Sequence, residues 1–220
     1  PQPQVAISGN VIAAPAAPAS VQWMLQHQSL PLAALLKKMN RYSNNPMADM
    51  IAATVGGAQV VAQKAIAETG VPAAEIQLVN GSGLAPENRM SPRAVCALFL
   101  AIERLVKPQG LTIADIFSVI GQDESVLDRR PLPKQAVLKS GTLDTVSTLA
   151  GALPTQKAGA IWFVLMNNEG SVESFRNLQE RFLSTVQQTF GGVSTAPIPT
   201  LEPSSSADAP LDYTQQWSPL

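Results

Sequence analysis

The amino-acid sequence predicts an α/β (α+β) fold in which an antiparallel sheet is flanked by helices. Three apolar runs over residues 136–143, 146–153 and 158–166 follow one another with short links, as the strands of an antiparallel meander do. The third run is rich in Ile, Val, Trp and Phe, which strands favour. Apolar residues recur with helical spacing on both sides of these runs, so we expect helices to cover the sheet.

The predicted helices have recognisable starts and stops. A helix is expected over residues 32–39, where apolar residues stand at 32, 35, 36 and 39. Asn45 is placed as the N-cap of the next helix, with Pro46 in its first turn. A third helix follows Gly56-Gly57 and stops at Gly70. Further helices are expected at 91–106, 112–120 and 171–190.

The two ends of the chain differ from this central region. Residues 1–20 are rich in Pro and Ala and contain one β-type run at 5–12, which predicts a strand followed by a linker. Residues 21–28 form a second strand candidate, and 21–190 is expected to be the folded domain. Residues 191–220 are dense in Pro, Ser and Ala, so we expect a disordered tail. The start at Pro1, without Met or a signal-peptide pattern, indicates a processed or truncated chain.

The composition excludes several classes of function. The net charge is −1, so no basic field attracts nucleic acid or an acidic membrane surface. No apolar run approaches the ~18 residues that a membrane span needs. The single cysteine, Cys96, rules out an internal disulfide. No His, Cys and carboxylate grouping has metal-ligand spacing, so we expect no metal and no cofactor.

Two short motifs carry the candidate chemistry. Lys139-Ser140-Gly141-Thr142 ends the first strand of the meander with a cation, two hydroxyls and a glycine, a set that suits an anion such as a carboxylate. Ser43-Asn44-Asn45 lies at the turn into a helix, where side chains can point at a cleft. Each motif alone has a plain alternative, a surface hairpin turn for the first and helix capping for the second. The pair in this order is much more specific than either motif.

With these motifs the chain resembles the penicillin-recognising serine peptidases, whose set is Ser-x-x-Lys, Ser-x-Asn and Lys-Thr/Ser-Gly. It is most similar to the D-alanyl-D-alanine carboxypeptidases of the peptidase S13 (penicillin-binding protein 4) type. Four ordered segments across residues 5–190 carry the resemblance: His27-Gln28-Ser29-Leu30-Pro31-Leu32, Arg41 to Asp49, Asn80 to Leu84 with Asn88-Arg89-x-Ser91, and Lys139 to Leu143 with Leu149-Ala150-Gly151. Three positions depart from the family pattern, with Asn44 and Asn80 in place of Asp and Ser140 in place of the commoner Thr.

The resemblance implies a penicillin-binding-protein/β-lactamase-like transpeptidase fold and an acyl-transfer activity on D-Ala-D-Ala peptides. It implies that Lys139 holds the substrate carboxylate, and that Ser43 relays a proton to the leaving amine. Asn45 would orient the amide side of the substrate. The substrate-binding residues implied are Ser140, Gly141 and Thr142, with the Thr142 N–H as one donor of an oxyanion hole.

The first motif of the family is missing, since no serine of this sequence has a lysine three residues further on. We therefore expect a C-terminal part of the transpeptidase domain, in which residues 1–20 return from inserted domains. Its implied partners are peptidoglycan stem peptides, β-lactam antibiotics and the segment or chain that bears the nucleophile, in a periplasmic or other extracytoplasmic location. Two alternatives stay open: a peptidoglycan- or partner-binding module that lacks the nucleophile, and a β-lactamase.

Overall fold

The computed structural model describes residues 29–192, together with the backbone of two short strands near the chain ends. In chain order the elements are β1 Leu25–His27, α1 Leu32–Arg41, α2 Asn45–Thr54, α3 Ala58–Thr69, β2 Ile76–Gln77, β3 Arg89–Met90, α4 Pro92–Val106, β4 Ser118–Val119, β5 Val137–Leu143, β6 Val146–Thr155, β7 Gly159–Asn167, α5 Val172–Phe190 and β8 Trp217–Pro219. β1 and β8 pair antiparallel in a unit of their own. The strand expected at 5–12 and most of the expected disordered tail lie outside the described residues.

The main unit is built on a four-stranded antiparallel sheet with the order β4-β5-β6-β7. Leu143 pairs with Val146 across the β5–β6 turn, and Thr155 pairs with Gly159 across the β6–β7 turn. The predicted meander is therefore confirmed. β4 pairs only with Val137 and Leu138, so β5 beyond them has a free edge among the described residues.

Side chains alternate along the strands and supply two cores on opposite faces of the sheet. Val137 of β5 packs with Ala150 of β6 and Phe99 of α4 in the first core. Leu138 of β5 packs with Leu149 of β6 and Leu183 of α5 in the second. The predicted covering of the sheet by helices is confirmed. A third, smaller core lies between α3 and α4, with Ala62, Ala65 and Ala94 as buried members.

Helix ends follow their capping chemistry, with two corrections to the sequence-based expectation. The N-cap of α2 is Asn44 and not Asn45: the extended Asn44 places its side-chain oxygen 3.0 Å from the Met47 N–H. The helix expected at 112–120 is wrong. Thr112 and Asp115 close a capping box around one 3-10 turn, and the chain then extends because Ser118 and Val119 pair with β5 as β4.

No described helix is by itself long and apolar enough to cross a membrane; α2 and α3 meet that test only as a pair bent by 79°.

The contact between β5 and β6 depends on Gly151, which gives the first testable prediction. A Cβ at Gly151 would lie 1.9 Å from the carbonyl oxygen of Val137, and its φ of 152° disfavours an L side chain. Because a backbone oxygen cannot turn away as a side chain can, Gly151→Ala must separate β5 from β6. We expect a loss of about 3 kcal/mol or more in the free energy of unfolding, measured by urea denaturation.

Gly192→Ala is the matched control, since no atom lies within 4 Å of a Cβ built there. It should change the free energy of unfolding by no more than about 0.5 kcal/mol. A Gly151→Ala variant as stable as the unmodified chain would contradict the close backbone approach.

Candidate functional site

The structure brings the two sequence motifs into direct contact. Lys139 Nζ donates a hydrogen bond to Ser43 Oγ at 2.9 Å, although the two residues are 96 positions apart. The same ammonium group donates to the Ser140 carbonyl oxygen at 2.8 Å. Ser43 lies in the turn between α1 and α2, and Lys139 lies on β5 just beyond the part that β4 covers. Two of the three predicted catalytic residues therefore share one site.

α1 is held against the segment around β4, which places the Ser43 turn beside β5. Lys37 Nζ donates to the Ala114 carbonyl at 3.0 Å and forms an ion pair with Asp123 at 3.1 Å. Asn40 Nδ2 donates to the Ile116 carbonyl at 2.9 Å. The buried Arg41 donates from Nε to the Glu124 carbonyl at 2.9 Å. These long-range hydrogen bonds orient the turn that follows α1.

Ser43 is held in a left-handed backbone conformation, with φ of 49°. A residue with a Cβ is rare in this region, and such residues concentrate at functional sites. The backbone N–H of Ser43 bonds to the Asn40 carbonyl, and that of Asn44 bonds to the Met39 carbonyl, so the end of α1 fixes this conformation. The resulting turn presents the Ser43 hydroxyl to Lys139.

Lys139 is a largely desolvated cation. Burial lowers the pKa of its ammonium group below the ordinary value. Its hydrogen-bond partners are a hydroxyl and a carbonyl, and no carboxylate pairs with it in the described part of the chain. Such an environment favours the neutral amine more than water does, so Lys139 is suited to proton exchange with the hydroxyl that it touches.

The other predicted residues lie around this pair in different ways. Asn45 is the first residue of α2, and no hydrogen bond within residues 29–192 joins its side chain to Ser43 or Lys139. Gly141 is exposed at the β5 edge, and a Cβ there would lie 2.7 Å from Thr148 Oγ1. Ser140 and Thr142 project to the α5 face of the sheet, opposite to Lys139, because side chains alternate along β5.

A loop that sequence reasoning did not assign to the site supports α2. Asp49 Oδ1 accepts hydrogen bonds from the N–H groups of Gly81 at 2.9 Å and Ser82 at 2.8 Å. Asn80 Oδ1 accepts from Asn88 Nδ2 at 2.7 Å and from the Gly83 N–H at 3.1 Å. The only available signal was that Asp49 and the 80–84 segment both match the resembled family.

Thr142 has a partner that no motif indicated. Arg176 of α5 donates from Nη2 to Thr142 Oγ1 at 3.1 Å. A single arginine on an amphipathic helix carries no local signal in the sequence. Within residues 29–192, no group of three or more His, Cys, Asp or Glu is arranged to hold a metal ion.

Comparisons with known proteins identify the family and the fold of this chain. A family model described as D-Ala-D-Ala carboxypeptidase 3 (S13) family matches residues 2–187. D-alanyl-D-alanine carboxypeptidase DacB of Haemophilus influenzae is 26% identical over 190 residues, which cover 77% of this chain and 39% of that protein. The chain therefore spans well under half of the length of this curated relative.

Solved structures share the fold. The Bd0816 predatory endopeptidase of Bdellovibrio bacteriovorus, in complex with immunity protein Bd3460, has a TM-score of 0.75 at 21% identity, over 88% of this chain and 51% of that one. The penicillin G acylated Bd3459 endopeptidase of the same organism has a TM-score of 0.69 at 18% identity, over 86% and 52%. Penicillin binding protein 4 (dacB) of Haemophilus influenzae has a TM-score of 0.57 at 24% identity, over 70% and 42%. The predicted penicillin-binding-protein type of fold is confirmed.

The left-handed turn at Ser43 yields a stability prediction. Ser43→Ala and Ser43→Gly both remove the hydroxyl that binds Lys139, but only glycine adopts φ of 49° without a steric cost. Ser43→Gly should therefore be more stable than Ser43→Ala by about 1 kcal/mol in urea denaturation. The same pair at Ser184, inside α5, should show the opposite order, because glycine destabilises a helix interior by about 1 kcal/mol relative to alanine. Equal stability of the two Ser43 variants would contradict the strained turn.

The burial of Lys139 yields a pH prediction. Its folded pKa lies below the ordinary value of 10.5, so the unfolded chain binds more protons between the two values and stability rises with pH across that interval. Urea denaturation from neutral pH to about pH 10.5 should show this rise in the unmodified chain relative to Lys139→Met. The exposed Lys64 is the control, since Lys64→Met should leave the slope unchanged. A difference between the chain and Lys139→Met that does not vary with pH would contradict a desolvated ammonium group.

Proposed function

Because the chain belongs to the D-Ala-D-Ala carboxypeptidase 3 (S13) family, we propose that it contributes part of the active site of a serine-type D-Ala-D-Ala carboxypeptidase or endopeptidase. The substrate is a peptidoglycan stem peptide, and β-lactam antibiotics acylate the same site. Because this substrate is part of the cell wall, the protein works in the periplasm or elsewhere outside the cytoplasm. The observation that carries the proposal is the hydrogen bond between Lys139 and Ser43, which joins the Lys-Ser-Gly and Ser-x-Asn motifs in space.

The nucleophile of this reaction is the serine of a Ser-x-x-Lys motif, which a segment outside these 220 residues supplies. Its hydroxyl oxygen attacks the carbonyl carbon of the penultimate D-Ala, and the amide C–N bond breaks as the terminal amino acid leaves. Water then attacks the ester carbonyl, which releases the shortened peptide and restores the serine hydroxyl. Protein groups must accept the serine proton and deliver a proton to the leaving amine.

On this chain, Lys139 and Ser43 take part in these proton transfers. Ser43 passes a proton to the leaving nitrogen, and Lys139, which donates to Ser43, stabilises the hydroxyl oxygen as it releases that proton. The desolvation that lowers the Lys139 pKa supports this role, since the ammonium group then loses its proton more easily than it would in water. Asn45, whose side chain is not engaged in capping α2, orients the amide of the substrate.

The free edge of β5 receives the substrate. Gly141 and Thr142 are exposed there, beyond the part of β5 that β4 covers. An extended peptide laid along such an edge bonds to its backbone groups, and the Thr142 N–H serves as one donor for the developing oxyanion. The Ser140 and Thr142 hydroxyls lie on the α5 side, where they contact the carboxylate end.

Acylation by benzylpenicillin tests the proposal. The native protein is incubated with benzylpenicillin, and the intact mass of every polypeptide in it is measured. We expect a penicilloyl adduct on the polypeptide that carries Ser-x-x-Lys and none on the 220 residues described by this sequence. An adduct within these residues would refute the assignment of the nucleophile to another segment, and the absence of any adduct would favour a peptidoglycan-binding module without catalysis.

Substitution of Lys139 gives the matching functional prediction. Lys139→Ala removes the charge that stabilises Ser43, so the acylation rate should fall by about 10²- to 10³-fold, in the range of other active-site donor deletions. Lys64→Ala removes an exposed lysine from α3 and should leave the rate unchanged. A Lys139→Ala protein that is acylated at the normal rate would refute the role of the Lys139–Ser43 pair.

A further inference from the structure

Arg176 presents an incompletely satisfied guanidinium group at the Thr142 end of the site. Within residues 29–192, this guanidinium group donates one hydrogen bond, from Nη2 to Thr142 Oγ1 at 3.1 Å. Nε is buried without a hydrogen-bond partner. Nη1 likewise makes no hydrogen bond with the described residues, yet it is not buried. The group therefore has donors to offer to a ligand beside Thr142.

No carboxylate of the described chain neutralises this arginine. Glu180, one turn further along α5, is engaged by Arg130, whose Nε lies 2.8 Å from its carboxylate. No Asp or Glu within residues 29–192 forms an ion pair with Arg176. A partly desolvated arginine without a counter-charge lowers the stability of the fold. A carboxylate would compensate this cost, because the planar guanidinium group can bind it through two parallel hydrogen bonds. A carboxylate would supply the acceptor that the described residues lack.

Lys139 is poorly placed to be the cation for that anion. It projects to the opposite face of the sheet from Thr142, because three positions along a strand reverse the side-chain direction. Its ammonium group is already bound to Ser43 Oγ and the Ser140 carbonyl. Thr142, in contrast, is exposed at the β5 edge and contacts Arg176 directly. The two cations therefore serve different parts of the site.

We propose that Arg176 is a specificity-determining residue that binds the terminal carboxylate of the substrate together with the Thr142 hydroxyl. This inference rests on the proposed function, and it differs from the family resemblance, which implies that Lys139 holds the carboxylate. In this arrangement Thr142 keeps the hydrogen bond from Arg176 and turns its hydroxyl proton toward one carboxylate oxygen, and the free guanidinium donors bind the other. Lys139 is left for the proton chemistry at Ser43.

The test compares two acylating probes that differ only in this charge. Second-order rate constants for acylation of the native protein are measured with benzylpenicillin, which has a free carboxylate, and with its methyl ester, which has none. Arg176→Gln should slow acylation by benzylpenicillin by about 10- to 100-fold, the effect of a lost hydrogen bond to a charged group. It should leave the rate with the methyl ester unchanged, so the preference for the free acid collapses.

Two further variants separate recognition from bulk charge and from folding. Arg176→Lys keeps the charge but loses the planar fork, so it should recover only part of the preference for the free acid. Arg181→Gln removes an exposed arginine from the same helix and should preserve both rates. Thermal denaturation of each variant monitors the folded state.

Several outcomes would overturn the inference. Equal slowing of both probes by Arg176→Gln would indicate a structural role, and an Arg181→Gln protein with the same loss of preference would indicate a general charge effect. If Arg176→Gln behaves like the unmodified protein while Lys139→Ala abolishes acylation, the carboxylate role of Arg176 is wrong and the proposed function stands. If the unmodified protein is not acylated by either probe, the proposed function fails and the inference fails with it.

Discussion

The hydrogen bond between Lys139 and Ser43 is the interaction on which the arrangement of the site depends. It joins a strand to a turn that is distant in sequence, and neither residue could reach the other without a rigid support. The polar side chains of Lys37 and Asn40 fasten α1 to the segment that contains β4, and β4 pairs with β5. These backbone-directed hydrogen bonds act together with the packing of Ala33 and Leu36 of α1 against the first core to fix the distance between the two motifs.

The sheet separates two kinds of electrostatic task. On the α1 and α4 side, the half-buried Lys139 donates a hydrogen bond to the Ser43 hydroxyl, and burial lowers the pKa of its ammonium group. On the α5 side, the guanidinium group of Arg176 lies beside Thr142 and donates a hydrogen bond to its hydroxyl. A lysine and an arginine are not interchangeable here, because only the lysine can lose its proton under mild desolvation. Because side chains alternate along β5, Lys139 and Thr142 lie on opposite faces of the sheet.

Much of the fold could be predicted from the sequence because the signals were local. The meander, the helix from Ser91-Pro92 and the stop at Gly70 all follow from periodicity and capping within a few residues. Two expectations were wrong for different reasons: strand pairing overrode the helix at 112–120, and the local hydrogen bonds that end α1 displaced the cap expected at Asn45. Pairing with β5 drew the chain into a strand after the 3-10 turn, and the left-handed turn at Ser43 moved the cap by one residue.

The candidate site was predictable only in part for the same reason. Motif order indicated Ser43 and Lys139, and the structure brings them together. The support of α2 by Asp49 and the contact of Arg176 with Thr142 join segments more than 30 residues apart, and no single-sequence pattern carries such pairs. Two departures from the family pattern are also explained by geometry. Asn44 caps α2 and Asn80 accepts two hydrogen bonds, tasks that an amide oxygen performs as well as a carboxylate.

The free edge of β5 has a consequence for what this surface can distinguish. A strand edge offers main-chain donors and acceptors, which are the same for every amino acid, so it holds any extended chain in register without reading its side chains. Any selectivity among peptides must then come from the groups at the end of that edge. If this edge binds a peptide, as proposed, the position of the peptide along the edge and the charge of its terminus would decide which peptides fit. Thr142 lies one residue before the end of β5, and so close to the end of this edge.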